Sequence, residues 1–302
     1  MYDIIIVGGG VAGLTAAVYA CRASKSVLVI EKETFGGQIT FSPKVENIPG
    51  FTQISGNEYA ERLVEQVLFQ GAEVESADVK EIVDCGEFKK VLTDSGEFIS
   101  RAVILATGSH HRTLGLEGED ELIGNGISFC AVCDGAFYSG QTVVVIGGGN
   151  SALQEALLLS ELVSKLYIVQ DMDRLTGESK LSEQLEEKSN VEIICSAKVL
   201  KYLSESGEIK GIEYSDSSGN IKEIYADGVF LAIGLLPQNE PFKDIISLDS
   251  MGYADSSENC LTKTEGIFVA GDCRAKKIRQ VATAAADGAV AALAACDFID
   301  NK

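Results

Sequence analysis

The stretch SFCAVCDG, residues 128 to 135, sets two thiols, Cys130 and Cys133, three positions apart with the carboxylate of Asp134 directly behind them. A Cys-x-x-Cys pair that opens a helix meets free N–H groups and the positive end of the helix dipole, and both favour the thiolate. A dithiol so placed can close to a disulfide and exchange it with another disulfide. Asp134 is suited to deliver or remove the proton that such exchange requires. Its other reading is a plain helix-capping carboxylate. The eight cysteines stand at 21, 85, 130, 133, 195, 260, 273 and 296, so this is the one close pair. Half of a zinc site, or two buried thiols acting as small apolar residues, are the structural alternatives. The adjacent His110 and His111 would point to opposite sides of an extended backbone, and no metal site is expected. Cys21 and Cys296, in alanine-rich helical segments, and Cys195, in an apolar run, read as inert buried thiols. Cys273 directly follows Asp272 and is kept apart from these three.

Two similar units must position this pair. Residues 3 to 31 read DIIIVGGGVAGLTAAVYACRASKSVLVIE, an apolar run, a glycine turn, a helix-length alanine-rich segment and a second apolar run. Residues 142 to 171, TVVVIGGGNSALQEALLLSELVSKLYIVQD, repeat the plan with the glycines 139 positions later. Each is a βαβ unit of a parallel, doubly wound sheet. AVILATGS (102–109) and GVFLAIGL (228–235) each follow a polar hairpin-like segment and end in Ala-x-Gly. The fold class is therefore α/β with two Rossmann-like dinucleotide-binding domains. The closing segment GIFVAGD with its alanine-rich helix suits completion of the first. That makes residues 1–113 and 241–302 one discontinuous domain, with 114–240 inserted and carrying the Cys-x-x-Cys.

Composition narrows the partners. With 25 basic against 45 acidic residues the 302-residue chain carries a formal charge of -20, which repels nucleic acid and anionic membrane surfaces. No basic leader precedes a long apolar run, and no stretch is expected to reach the ~20 apolar residues of a membrane span. A cytoplasmic protein is expected.

Gly8, Gly10 and Gly13 follow the run IIIV and open a helix, the context in which a G-x-G-x-x-G turn binds pyrophosphate. Glu31 ends the next strand, 18 residues after Gly13, where a carboxylate accepts bonds from ribose hydroxyls. Gly271 and Asp272 close a strand-like GIFVAGD that resembles the second fingerprint of two-dinucleotide-domain flavoproteins, which points to FAD.

The order GGGVAG, GGQ, VENIPGF, LATG, CAVCDG, GGGNSA, AIG, GIFVAGD and RQV, running nearly the whole chain, resembles the bacterial-type low-molecular-weight thioredoxin reductases. The redox pair lies in the second nucleotide domain, as in that family. The resemblance implies a homodimer in which FAD passes electrons to the Cys-x-x-Cys and the dithiol reduces thioredoxin or a thioredoxin-like protein. It further implies that Cys133 faces the flavin, that Cys130 attacks the partner's disulfide, and that Asp134 is the acid/base. Gly37, Gln38, Asn47, Thr107, Asp272, Arg279, Gln280 and Val281 match its flavin-contacting positions. Arg274, Lys276, Lys277 and Arg279 form the one basic cluster, expected as a solvated helical fringe or a docking patch.

The electron donor is the open point. Gly147, Gly149 and Ala152 keep a second pyrophosphate turn. The family ends the following strand with His-Arg-Arg-x-x-x-Arg, whose arginines hold the 2′-phosphate of NADPH; here the positions read Gln170, Asp171, Met172 and Thr176. Each lost charge-assisted contact weakens binding by roughly 1.5–3 kcal/mol. Asp171 would repel the phosphate and suits the free ribose hydroxyls of NADH, so NADH is expected over NADPH, with Arg174 the one nearby cation. Ferredoxin as donor, a flavin-dependent dithiol oxidase, and a flavin-binding redox sensor are the competing readings.

Overall fold

The computed structural model describes residues 1–42 and 44–301. In chain order, β1 (Tyr2–Val7), α1 (Val11–Arg22), β2 (Val27–Glu31), α2 (Gly56–Phe69), β3 (Glu73–Ser76), β4 (Val79–Asp84), β5 (Lys89–Thr93), β6 (Glu97–Leu105) and β7 (Ser109–His111) begin the first unit. Then come α3 (Glu119–Leu122), β8 (Ile127–Ser128), α4 (Ala131–Asp134), β9 (Thr142–Ile146), α5 (Asn150–Ser160), β10 (Lys165–Val169), α6 (Ser179–Glu186) and β11 (Val191–Ile194). A meander of β12 (Lys198–Glu205), β13 (Glu208–Ser215) and β14 (Ile221–Tyr225) precedes β15 (Gly228–Leu231) and β16 (Leu235–Pro237). The chain ends with β17 (Ile267–Val269) and α7 (Val281–Asp300).

Two compact units result: Met1–His110 with Leu236–Lys302, and His111–Leu235. The chain crosses at 110/111 and 235/236, a few residues before the 113/114 and 240/241 boundaries read from the sequence.

In the first unit the sheet order is β3-β2-β1-β6-β5-β4, with β17 also on β6. The nine residues of β6 serve two neighbours on one edge: Glu97 to Ser100 pair antiparallel with β5, and Val103 to Leu105 pair parallel with β17. The parallel core strands read IIIV and VLVI because both faces are covered. One face packs on α1 and α7, among them Leu14, Ala17, Ala291 and Ala295.

Helix α7, 20 residues long, corrects one expectation, since by length and composition it is apolar enough to cross a membrane. Its alanines give that hydropathy while serving another purpose. Ala284, Ala291, Ala292 and Ala295 are buried in the core of this unit, and Gly288 lies so close to α1 that a Cβ there would overlap the carbonyl oxygen of Ala12.

The second unit repeats the plan with order β11-β10-β9-β15-β8. Val144, Ile146, Val229 and Leu231 pack on one side toward the β12–β14 meander, and Val143, Val145 and Phe230 on the other toward α5.

Candidate functional site

In the first unit the predicted residues gather at the C-terminal ends of β1, β6 and β17, where doubly wound sheets bind ligands. Gly8 has φ +109°, and a side chain on it would collide with the carbonyl of Ala106 in LATG. The second unit repeats this contact. Gly147 has φ +130°, and a Cβ there would sit 2.5 Å from the carbonyl oxygen of Ala232 in LAIG. The recurring Ala-x-Gly thus marks the strand end against which each glycine turn closes. Gly10 and Gly149 are the N-caps of α1 and α5, and neither helix start is capped by a side chain. The first turns that contain Gly13 and Ala152 are thus left without a capping side chain, the condition in which a helix start can take an anion.

Glu31 accepts the N–H of Gly9 at 2.6 Å and of Glu33 at 2.9 Å. Gly37 follows Gly36, whose N–H is bonded to the carbonyl of Gly9 at 2.8 Å. Around β17, Arg279 donates to the carbonyl of Asp272 at 3.2 Å and stacks over Tyr253 at 4.1 Å. Asn47 donates to Gln280 at 3.3 Å. Gln280 caps α7 reciprocally with Thr283, and Val281 packs with Val45, Ile48 and Ile54. Gln38 is exposed on the short 3-10 turn Gly37–Phe41.

Asn239, which the sequence gave no reason to single out, is fully buried. It accepts from Thr107 at 3.1 Å and donates to the carbonyl of Cys273 at 2.8 Å, so it ties two ends of the site together. Cys273 itself is buried, with its Sγ toward the carbonyl of Leu105, and burial pushes its thiol up. Asp272 Oδ1 is buried without a hydrogen-bond partner. Lys276 Nζ lies 3.7 Å from that oxygen, an ion pair beyond hydrogen-bond distance that leaves it able to accept from a ligand hydroxyl, and Gly271, at φ +79° against the Cβ of Ala12, leaves no room for a side chain.

The basic cluster differs from expectation. Arg274 is 2% exposed and meets the carboxylate of Asp287 on α7 through Nε at 3.1 Å and Nη2 at 3.0 Å. Lys276 reaches the same carboxylate at 3.0 Å, and the N–H of Gly271 donates to it at 3.0 Å. Two of the four cations thus neutralise a buried acid rather than forming a solvated helical fringe. Lys277 is exposed.

In the second unit Cys130 and Cys133 are joined as a disulfide with their Cα atoms 5.3 Å apart. Cys130 is the N-cap of α4, and its Sγ accepts the N–H of Cys133 at 3.2 Å. Asp134 does not cap. Its Oδ2 accepts the hydroxyl of Ser128, whose Oγ accepts the N–H of Cys130, and its Oδ1 is buried without a partner. Burial raises its carboxyl above the ordinary value, partly offset by the Ser128 bond. A protonatable acid is thereby fixed one bond network away from the disulfide. Across the described residues no group of three His, Cys, Asp or Glu could hold a metal. His111 stacks on Phe129 at 4.3 Å, and His110 pairs with Gln238.

Register decides the nucleotide end of this unit. Val7 pairs with Ile30, and Gly8 donates to the carbonyl of Ile30; Ile146 pairs with Val169, and Gly147 donates to the carbonyl of Val169. The residue equivalent to Glu31 is therefore Gln170. It is buried, its side chain so close above Gly148 that a Cβ there would lie 2.8 Å from its amide. Asp171 follows it, exposed, as is Met172. Thr176 folds back on the turn, its N–H bonding the carbonyl of Gly148 at 2.8 Å and its hydroxyl lying 3.3 Å from the same oxygen.

Known proteins share this arrangement. Residues 2–288 match the family described as pyridine nucleotide-disulphide oxidoreductase. The thioredoxin reductase of Bacillus subtilis is 40% identical over 302 residues, covering 100% of this chain and 96% of the relative. That of Treponema pallidum is 40% identical, covering 99% and 98%. The crystal structure of thioredoxin reductase from Streptococcus pyogenes is 34% identical and superposes with a TM-score of 0.95, covering 100% of this chain and 99% of that one. With a fused disulfide turn, two glycine cradles and a match over nearly its whole length, the chain belongs to the pyridine nucleotide-disulphide oxidoreductase family.

Proposed function

We propose that this chain is a thioredoxin-disulfide reductase that passes electrons from a donor through FAD and the Cys130–Cys133 pair to thioredoxin or a thioredoxin-like protein. The observation that carries the reading is the disulfide at the N-cap of α4, with Asp134 beside it, its carboxyl raised by partial burial, in the same unit as a complete second glycine turn. The names of the full-length relatives support the partner.

Gly8, Gly10, Gly13, Glu31, Gly37, Gln38, Asn47, Thr107, Gly271, Asp272, Arg279, Gln280 and Val281 would hold FAD, which when bound supplies two-electron transfer between hydride and disulfide. The uncapped start of α1 suits its pyrophosphate, and Asp272 Oδ1, which makes no hydrogen bond and has Lys276 Nζ at 3.7 Å, suits a hydroxyl. Cys133 would take the electrons and Cys130 would attack the partner, with Asp134 moving the proton. The likeness to this group also supports a homodimer working in the cytoplasm, with residues 1–113 and 241–302 as the FAD domain and 114–240 as the insert.

For the donor, Gly147, Gly149 and Ala152 would hold a dinucleotide pyrophosphate, and NADH is favoured over NADPH. Neutral Gln170, acidic Asp171, apolar Met172 and the loop-closing Thr176 offer a 2′-phosphate no cation. Asp171, one residue beyond the position that Glu31 holds in the first unit, would accept a ribose hydroxyl. The test is an anaerobic flavin absorbance titration with NADH, NADPH and photoreduced ferredoxin in separate cuvettes. Bleaching by NADH at micromolar concentration with NADPH far weaker supports the assignment. Bleaching by ferredoxin alone overturns it and leaves the second glycine turn as a scaffold.

A further inference from the structure

Ser128 carries none of the roles assigned above, yet the hydrogen bonds of the redox turn meet on it. It ends β8, two residues before Cys130, and is 6% exposed. Its Oγ accepts the N–H of Cys130 at 3.1 Å and donates to Asp134 Oδ2 at 2.5 Å. The Sγ of Cys130 accepts the N–H of Cys133 at 3.2 Å. One chain of bonds therefore runs from the disulfide turn to the acid. It stops at Oδ2, because Asp134 Oδ1 is buried without a hydrogen-bond partner.

We propose that Ser128 is a positioning residue that pins Asp134 by Oδ2 and so makes Oδ1 the oxygen that carries the exchange proton. The inference rests on the reading of Asp134 as the acid of the reductase.

The direction of each bond follows from what the groups can donate. A backbone N–H only donates, so it fills one lone pair of the Ser128 Oγ, and an ionised carboxylate only accepts, so the hydroxyl hydrogen goes to Oδ2. A proton added to Oδ2 would meet that hydrogen and force the hydroxyl to turn away, leaving a buried donor unbonded at a cost. A proton added to Oδ1 leaves every bond in place. When a thiolate attacks the disulfide, the Sγ–Sγ bond breaks and its electron pair leaves on the departing sulfur, which then takes one proton. Asp134 gives up the Oδ1 proton, and Ser128 stabilises the carboxylate that remains. Burial raises the Asp134 carboxyl and the Ser128 bond lowers it, so the two oppose each other on one group. Ionisable groups on the elements packed against α4 are Tyr138, on the turn Gly135–Tyr138, and Glu155 on α5. β8 and its neighbour β15 carry none, and His111 stacks on Phe129, which follows Ser128.

The test is anaerobic reduction of the FAD-loaded protein by dithiothreitol from pH 4 to 9. Samples are quenched with acid and alkylated, and the mass of the peptide that holds Cys130 and Cys133 reports the reduced fraction. Dithiothreitol supplies the attacking thiolate and both electrons, and it ends as its cyclic disulfide. Each rate is divided by the thiolate fraction of dithiothreitol, so the fall that remains belongs to the protein's acid. In wild type the corrected rate should fall as Asp134 ionises, and Asp134→Asn should remove that fall. Ser128→Ala should lower the plateau and move the fall to higher pH. Above the wild-type midpoint it should hold about tenfold more protonated Asp134 at a given pH, as expected for one lost bond to a charged group. Ser128→Thr keeps the hydroxyl and should keep the wild-type midpoint. A Ser128→Ala protein whose plateau drops while its midpoint stays would make the residue structural only and overturn the proposal. A fall that survives in Asp134→Asn would overturn it too, with Ser128 left intact. Neither an electron donor nor thioredoxin enters the assay, so absence of thioredoxin turnover would sink the reductase reading and leave this result standing.

Discussion

Replacing Asp287 by alanine would strip a buried site of the carboxylate on which two cations and a backbone donor converge. Four hydrogen bonds end on it: two from Arg274, at 3.1 and 3.0 Å, and one each from Lys276 and Gly271 at 3.0 Å. Arg274 is 2% exposed, and without Asp287 its charge would keep only the exposed Glu258, at 3.6 Å, as a counter-ion. Removing one partner of a buried ion pair costs about 3–5 kcal/mol when the remaining charge is uncompensated, and the longer pairs to Glu258 and Asp272 place the expected loss at the lower end of that range. Asp287→Asn keeps an acceptor and should lose less. The assay is equilibrium urea unfolding of the FAD-loaded protein, read with flavin release. Flavin release should shift with the Ala variant too, because Asp287 fixes the Gly271–Asp272 turn. A loss below about 1 kcal/mol in the Ala variant would refute the reasoning. The pH dependence has a definite sign. Burial pushes the Asp287 carboxyl up, but the bonds from Arg274 and Lys276 outweigh it and leave it below the ordinary value. The network's contribution is therefore complete above the unfolded carboxylate value and is lost as pH falls through the folded one.

Restoring arginine at Asp171 and Met172 should tighten NADPH roughly tenfold or more for each charge-assisted contact formed, measured as the NADPH to NADH ratio of flavin reduction. Gly147→Ala should abolish reduction by nucleotide while sparing FAD content, since φ +130° and a Cβ 2.5 Å from the Ala232 carbonyl oxygen both exclude a side chain. Glu155→Gln should stabilise the protein increasingly as pH rises from 5 to 8. A carboxyl raised from 4.5 to about 8 by burial binds more protons folded than unfolded across that range, so wild-type stability falls there. Urea unfolding at pH 5, 6.5 and 8 measures the divergence.

Local features of the chain carried the architecture. The glycine turns, the apolar runs and the Ala-x-Gly ends are short-range signals, and the two βαβ units follow from them. Residues whose partners lie far along the chain were hidden. Arg274 looked like a surface cation because nothing nearby in sequence announces Asp287, which meets it from one helix further on. Asn239 reaches Cys273 and Thr107 only through the fold. Glu155 reads as one more polar helix residue until α5 packs on α4. Alignment by motif set Asp171 at the strand end, whereas strand register gives the Glu31 position to Gln170. The alanines of α7, too modest singly to suggest a membrane-length helix, sum to one because close packing on α1 demands small side chains.

The central claim is that electrons reach the partner only through the Cys130–Cys133 disulfide. Anaerobic stopped-flow with NADH, FAD-loaded protein and oxidised thioredoxin tests it in wild type, Cys130→Ser and Cys133→Ser. The account predicts thioredoxin reduction by wild type alone, with flavin bleaching retained in both variants. Thioredoxin reduction by either variant at a rate near wild type would contradict it.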